Sequence, residues 1–316
     1  MIDISVVIPS YNESESLPEL VRWIETVINK QGLNYEIIIV DDGSKDGSWQ
    51  VINGLASENT LVRGIKFRRN YGKSAALFCG FKAAKGNVVI TMDADLQDSP
   101  DEIPDLYKMI TEDDYDMVSG WKRKRYDPFS KTFPSKIFNA TARCFTGIKL
   151  HDFNCGLKAY KLQVVKSIEV FGEMHRYIPI LAKRAGFSNI GEKEVQHRAR
   201  QYGVTKYGLE RFVNGYLDLL TILFISKFGK SPMHFFGLLG TIFFLAGFLS
   251  AGYLGVQKLQ MLSHGIHAKL ITDSPYFYLA LTTMVIGSQL FLTGFVAELV
   301  SRNGADRNAY LIDEEI

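Results

Sequence analysis

Val88-Val89-Ile90-Thr91-Met92-Asp93-Ala94-Asp95-Leu96-Gln97 is a largely apolar run that turns to acid in a single step. Its length and β-branched content predict a buried strand. In an extended chain residues i and i+2 point the same way, so Asp93 and Asp95 share a face and the Gln97 amide oxygen can join them. Such an all-oxygen set suits Mg2+ or Mn2+, with coordination positions left over for phosphates. Taken alone, an Asp-x-Asp tip is more often a solvated strand-end turn than a metal site, so its meaning depends on the rest of the chain.

Outward from this strand the first 120 residues alternate between two periods. Ile4 to Pro9, Glu36 to Val40, Val62 to Phe67, Val88 to Met92 and Met117 to Ser119 are short apolar runs. Segments of helical periodicity, such as Leu17 to Val27 and Lys73 to Ala84, lie between them. This alternation predicts an α/β fold with a doubly wound, mainly parallel sheet covered on both faces. Ligands of such sheets bind beyond the carboxyl ends of the strands. Asn12-Glu13, Asp41-Asp42 and Asp93-Asp95 all fall at those ends and so face one crevice. After the first strand stands Pro9-Ser10-Tyr11-Asn12-Glu13 rather than a Gly-x-Gly-x-x-Gly turn, which argues against a dinucleotide cofactor.

A chain of 316 residues with net charge +2 accommodates one large α/β domain and an appendage, and lacks the basic surplus of a nucleic-acid binder. Cys79, Cys144 and Cys155 have no CxxC spacing and read as reduced thiols. No signal peptide is read at the start, where Met1 leads almost directly into a strand. Residues 233–257 and 274–297 contain no Asp, Glu, Lys or Arg. Each is long enough to cross a hydrocarbon core of about 30 Å. Lys227 and Lys230 before the first, and Arg302 and Arg307 after the second, favour a cytoplasmic face for both ends, opposed by Lys258 and Lys269 between them. Residues 206–230 carry an apolar stripe with charge at the ends, as an interfacial helix would; a helix packed on the preceding domain fits the same pattern. The expected organisation is a cytoplasmic catalytic domain (1–205), a juxtamembrane amphipathic helix (206–230), and a two-helix transmembrane domain with a short tail (231–316).

Val-Val-Ile-Pro-Ser-Tyr-Asn-Glu (6–13), Val-Asp-Asp-Gly-Ser-Lys-Asp-Gly (40–47), Arg-Asn-Tyr-Gly-Lys (69–73), Asp-Ala-Asp-Leu-Gln-Asp (93–98) and Arg-Gln-Tyr-Gly-Val-Thr-Lys-Tyr (200–207) form an ordered series. It resembles the family 2 inverting glycosyltransferases. Within that family it looks most like the polyprenyl-phosphate group, the dolichol-phosphate mannose synthases and bacterial bactoprenol glucosyltransferases. The resemblance implies a GT-A-type Rossmann-like domain and a metal-dependent transfer of one sugar from a nucleotide-sugar to polyprenyl phosphate. A uridine donor is favoured, with GDP-mannose as the alternative. The setting implied is the bacterial inner membrane, with membrane lipids around the spans, self-association of the chain, and a separate flippase for the product.

The resemblance also distributes roles. Pro9, Tyr11, Glu13 and Asp42 fall at the nucleotide; a carboxylate such as Asp42 can accept from a base N–H. Asp93, Asp95 and Gln97 fall at the donor diphosphate and the Mg2+ or Mn2+ ion. Lys73, Arg200 and Lys206 look like further phosphate contacts. Asp152, in His-Asp-Phe-Asn-Cys-Gly, matches the position of the catalytic base. Many relatives have Gly where His151 stands here, which raises the question of a left-handed backbone there. The ring itself reads as solvent-facing or hydrogen-bonded rather than catalytic.

The densest basic stretch contains Lys122, Arg123, Lys124, Arg125, Lys131 and Lys136. A basic run is usually a solvated face. Beside a nucleotide crevice and ahead of membrane spans, Arg123 and Arg125, with Lys131 and Lys136, become the expected acceptor-phosphate residues. Two competing readings are a transferase acting on a lipid-linked saccharide or polysaccharide chain, and a non-catalytic nucleotide-binding scaffold. A chain synthase usually carries a Gln-x-x-Arg-Trp block, which is missing here.

Overall fold

In the computed structural model the described residues are 2–123, 139–143, 146–198, 224, 228, 231–265, 270–302 and 312–315. The chain divides into two compact units, Met1–Ile222 with Asn308–Ile316, and Leu223–Arg307.

The first unit is built on an eight-stranded mixed sheet. Its strands are β1 (Ile4–Ser10), β2 (Tyr35–Asp41), β3 (Val62–Phe67), β4 (Val88–Thr91), β5 (Met117–Trp121), β6 (Lys158–Lys161), β7 (Ile190–Glu194) and β8 (Ile312–Glu315). They are ordered β7-β5-β6-β4-β1-β2-β3-β8. The block β4-β1-β2-β3 is wholly parallel and contains four of the five strands expected from the alternating pattern. The expectation of a mainly parallel sheet holds for that block. Antiparallel pairing enters through β6, which lies between β4 and β5, and through β8 on the far edge.

Alternation along the parallel strands explains the two-sided cover. Val6 and Ile8 of β1, with Ile37 and Ile39 of β2, face a core filled by Leu17, Leu20, Ile24 and Ile28 of α1 (Leu17–Asn29) and Ile103, Leu106 and Ile110 of α4 (Ile103–Thr111). Trp49 and Ile52 of α2 (Ser48–Glu58) extend the same core. On the opposite face α3 (Lys73–Ala83) lies against β1 and β2. Its Ala75, Ala76, Leu77 and Phe81 are buried there. Two short helices follow, α5 (Leu162–Ser167) and α6 (Ile178–Arg184), the latter preceded by a 3-10 turn, Met174–Tyr177.

The tail, expected as a short cytoplasmic extension, contributes an edge strand to the sheet. Antiparallel to β3, β8 pairs Lys66 with Glu314. Lys66 Nζ lies 2.9 Å from Glu314 Oε1, and Trp49 Nε1 donates to Oε2 at 2.8 Å.

The second unit contains α7 (Pro232–Ser263) and α8 (Pro275–Arg302), both long and apolar enough to cross a membrane. They run past the charge-free limits read from sequence. Hydrogen bonding continues the helix through Lys258, whereas charge alone marks only where a hydrocarbon core would end. Gly240 and Gly287 bring the two backbones close together. Their outward faces are apolar and exposed, as at Leu249, Tyr253, Tyr276 and Val300. Of residues 206–230 only Phe224 and Phe228 are described; both are helical and pack on Phe235, the first edge-on and the second tilted.

Candidate active site

The site begins at the carboxyl ends of β1 and β2, whose loops are laced together. The Asn12 N–H donates to Ser44 Oγ at 2.8 Å, and Asn12 Oδ1 accepts from the Lys45 N–H at 2.8 Å. The Glu13 N–H donates to Ser48 Oγ at 2.9 Å. Asn12 takes a positive φ of 53°, so the turn after Pro9 is strained for a residue with a side chain. Pro9 and Tyr11 stand half-buried on this rim.

Asp42 is almost fully buried and reaches into the loop before α3. Its Oδ1 accepts from the Tyr71 N–H at 2.6 Å and its Oδ2 from the Gly72 N–H at 2.9 Å. Burial pushes its carboxyl up to about 6, against the pull of these two N–H groups, and neighbouring Asp41 adds to the rise. Gly43 makes the approach feasible. At φ +69° a side chain would be strained, and its Cβ would lie 2.5 Å from the Arg69 carbonyl carbon.

At the tip of β4 the same residue type is in the opposite condition. Asp93, a third exposed, accepts from Lys73 Nζ at the start of α3. Burial opposes its charge, but Lys73 outweighs it and holds the carboxyl down at about 2, helped by Lys122 and Lys158. Asp95 is buried and Oδ1 accepts from the Gln97 N–H at 3.2 Å, while Leu96 between them adopts φ 59°. Gln97 itself is half-buried. Two carboxylates and an amide oxygen fit a hard divalent ion that draws its other ligands from water and substrate phosphate. No group of three or more His, Cys, Asp or Glu positioned for a metal occurs among the described residues, so an ion at this tip would depend on the Gln97 amide, water and substrate for its remaining ligands.

β6 brings Asp152 to the same edge. Because β6 runs antiparallel to β4, with Lys158 opposite Thr91, the loop leading into β6 lies beside the tip of β4. Gly156 in that loop packs directly on Asp93: a Cβ there would sit 2.5 Å from Oδ2. Asp152 is buried, and Oδ1 accepts from the Asn154 N–H at 3.0 Å. The loop is gripped by Glu192 of β7. Its Oε1 accepts from the His151 and Asp152 N–H groups at 2.7 and 3.0 Å, and Oε2 lies 2.7 Å from His151 Nδ1. His151 also stacks on Trp121, with centroids 4.3 Å apart. It is absent from the residues with positive φ, so His in place of Gly imposes no left-handed strain. Its ring is hydrogen-bonded, as expected.

The basic stretch divides. Lys122 Nζ lies 2.6 Å from the fully buried Asp98; burial opposes its charge, but Asp98 keeps it protonated. Arg123 is 64% exposed and lies 3.4 Å from Glu194. Arg125, Lys131, Lys136, Arg200 and Lys206 lie outside the described residues. Cys155 is buried, with its thiol pushed up to about 12, so a nucleophilic thiolate does not form there.

Sequence reasoning missed Glu192 and Lys158, which no motif marks, and gave no role to Gly156, the last residue of His-Asp-Phe-Asn-Cys-Gly; each becomes meaningful only when β6 and β7 are placed beside β4 and β5.

Residues 5–169 match the family described as Glycosyl transferase family 2. The dodecaprenyl-phosphate galacturonate synthase of Rhizobium johnstonii is 34% identical over 306 residues, 95% of this chain and 88% of that protein. The undecaprenyl-phosphate 4-deoxy-4-formamido-L-arabinose transferase of Proteus mirabilis is 37% identical over 300 residues, 95% and 88% of the two chains. Among solved structures, glucosyl-3-phosphoglycerate synthase of Mycobacterium tuberculosis, crystallised with Mn2+ and UDP-glucose, superposes with a TM-score of 0.55. That match is 22% identical and covers 71% of this chain and 79% of that one, a likeness of fold. With its strand-tip carboxylates on a GT-A-like sheet and relatives matched over nearly its whole length, the chain belongs to glycosyl transferase family 2.

Proposed function

We propose that this protein transfers a single sugar from a nucleotide-sugar to polyprenyl phosphate, with inversion at the anomeric carbon. The observation that carries the reading is the meeting, on one sheet edge, of the ionised Asp93–Lys73 pair with the buried loop of Asp152. The relatives named for dodecaprenyl and undecaprenyl phosphate, matched over 95% of this chain, support the acceptor class.

In this reading Pro9, Tyr11 and Glu13 form the nucleotide rim. Asp42 keeps one lone pair on each oxygen for a base N–H. Asp93, Asp95 and Gln97 would hold Mg2+ or Mn2+, which when bound neutralises charge on the departing nucleoside diphosphate. Lys73 is poised to exchange its carboxylate partner for a phosphate oxygen, with Arg200 and Lys206 as further contacts. Donor and acceptor held in line allow a single displacement, and positioning supplies much of the rate. A phosphate monoester has a second pKa near about 6, so the acceptor is mostly dianionic at neutral pH and needs little deprotonation. Asp152 therefore orients the acceptor phosphate and removes a residual proton. Arg123, Arg125, Lys131 and Lys136 attract it from the lipid surface.

The setting is the bacterial cytoplasmic membrane. α7 and α8 each exceed the roughly 20 residues that a hydrocarbon core requires, and their exposed apolar faces suit lipid contact. The tail strand β8 belongs to the catalytic sheet, so the chain between that sheet and its tail crosses an even number of times. A UDP-sugar is the favoured donor. Two helices are too few to enclose a path for the product, whose translocation falls to a separate flippase.

The test is incubation of the purified full-length protein with polyprenyl phosphate, Mg2+ and a panel of labelled nucleotide-sugars. Label in a monoglycosyl lipid is the expected result. Label only in a lengthening glycan, or nucleotide-sugar binding without turnover, overturns the proposal. Asp152→Asn should slow transfer; wild-type turnover across pH 6 to 8 in that variant would remove Asp152 from the mechanism.

A further inference from the structure

Below the Asp93 tip, two buried basic side chains have no carboxylate within hydrogen-bond distance among the described residues. Lys158, at the start of β6, and Arg176, on the 3-10 turn before α6, are each at least nine-tenths buried. The ammonium of Lys158 donates to a neutral partner, the Cys155 carbonyl. Arg176 Nε has no hydrogen-bond partner among the described residues, and its one acid neighbour, the half-exposed Glu173, is 3.9 Å away. By contrast, Lys122 is paired with Asp98 and Lys193 with Glu102, and Lys73 with Asp93. His175 cannot help to balance the charge. Burial, with Lys73, Arg176 and Lys158 around it, keeps its ring neutral, and Nδ1 lies 3.1 Å from Ser74 Oγ.

Taking a cation out of water without an opposing charge costs several kcal/mol. Burial pushes Lys158 toward its neutral form, with Lys73 adding to the effect; an anion arriving in the gap would favour the charged ammonium and give the buried Arg176 Nε an acceptor. The gap they share with Lys73, Asn154 and His175 admits about one water-sized group, the dimension of a single oxygen. Its position is informative: Lys158 is close enough to feel both Asp93 and Asp152, the carboxylates assigned to the donor and acceptor sides.

We propose that Lys158 and Arg176 form an oxyanion seat that receives one oxygen of a substrate phosphate at the inner end of the Asp93 crevice. The inference rests on the reading that this site moves a sugar between phosphates. It adds a pair of residues outside the motifs that carry the family resemblance. The phosphate oxygen has two sources, the nucleotide diphosphate and the lipid phosphate, and the guanidinium fork of Arg176 suits either.

The experiment uses the full-length protein in detergent, as wild type, Arg176→Gln and Arg176→Lys, with Lys158→Arg as a second probe that keeps the buried charge. Binding of UDP and of pyrophosphate is measured by calorimetry, and KM for nucleotide-sugar and for polyprenyl phosphate by transfer. Loss of a charged hydrogen bond should weaken the affected phosphate by about tenfold or more in Arg176→Gln, with partial recovery in Arg176→Lys. Weaker UDP and pyrophosphate binding supports the seat and assigns it to the donor. A raised KM for polyprenyl phosphate at unchanged UDP binding supports it and assigns it to the acceptor. Folded Arg176→Gln that binds UDP and pyrophosphate like wild type and keeps both KM values within twofold overturns the seat, even if kcat falls. Wild-type protein that transfers no sugar would break the functional reading alone, because the pyrophosphate comparison still tests the seat.

Discussion

Asp41-Asp42 and Asp93-Ala94-Asp95 look alike in the sequence, each an acidic tip on a buried parallel strand, yet the fold puts them to opposite uses. Asp42 turns inward, accepts one N–H on each oxygen, from Tyr71 and Gly72, and is pushed up to about 6. Asp93 stays partly open, pairs with a lysine, and is held at about 2. One carboxylate organises a loop and the other stores a usable negative charge. The difference comes from what faces each tip: backbone donors in a dry loop for Asp42, and the Lys73 ammonium for Asp93.

The largest effect expected from breaking this contrast is at the open tip. Asp93→Asn should lower kcat for transfer by about 10²- to 10³-fold, the scale of losing one preorganised electrostatic group, with nucleotide binding reduced far less. Turnover in initial-rate assays at saturating donor checks it. Next is Gly156→Ala, whose added methyl must displace the Asp93 carboxylate. A shift of about 1 Å costs about 10²-fold, so activity should fall while the melting temperature stays near wild type.

The inward tip should reveal itself through stability and pH. Asp42 ionises near 3.8 when unfolded and near 6 when folded. Between those values the native state holds the extra proton, so stability falls as pH rises from about 4 to about 6, by about 3 kcal/mol in all, and is flat above. Asp42→Asn should reduce that slope in unfolding followed by tryptophan fluorescence, leaving the part due to Asp41 and Asp98, whose carboxyls burial also raises. Asp93 has the opposite sign: its contribution is complete above about 4 and is lost as pH falls toward about 2. The smallest effect is at Glu192. Glu192→Gln leaves an amide among three hydrogen-bond partners and should cost about 1–2 kcal/mol of stability, with a modest fall in kcat as the Asp152 loop loosens.

The legible part of the molecule is the part in which sequence neighbours are also spatial partners. β1 to β5 could be read from apolar runs because these strands are buried almost throughout, with Arg63 and Lys66 of β3 partly exposed, and their pattern owes nothing to distant residues. The strand-tip carboxylates were legible for the same reason. Beyond residue 121 this locality ends. β6 shows little alternation in Lys-Ala-Tyr-Lys, yet it is inserted between β4 and β5, and only that insertion brings Gly156 against Asp93. Glu192 gains its meaning from a loop 40 residues earlier. β8 is strand only because the edge of β3 accepts it. A run of like charges was equally opaque: Lys122 and Arg123 are adjacent, yet the first is paired with buried Asp98 and the second is exposed.

The central claim is that the charge kept at the β4 tip serves to hold a divalent ion together with the donor diphosphate. The most direct measurement is the rate of sugar transfer to polyprenyl phosphate in excess EDTA, followed by addition of Mg2+ or Mn2+. The account predicts a fall to background in EDTA and recovery on adding either ion; an undiminished rate in EDTA would contradict it.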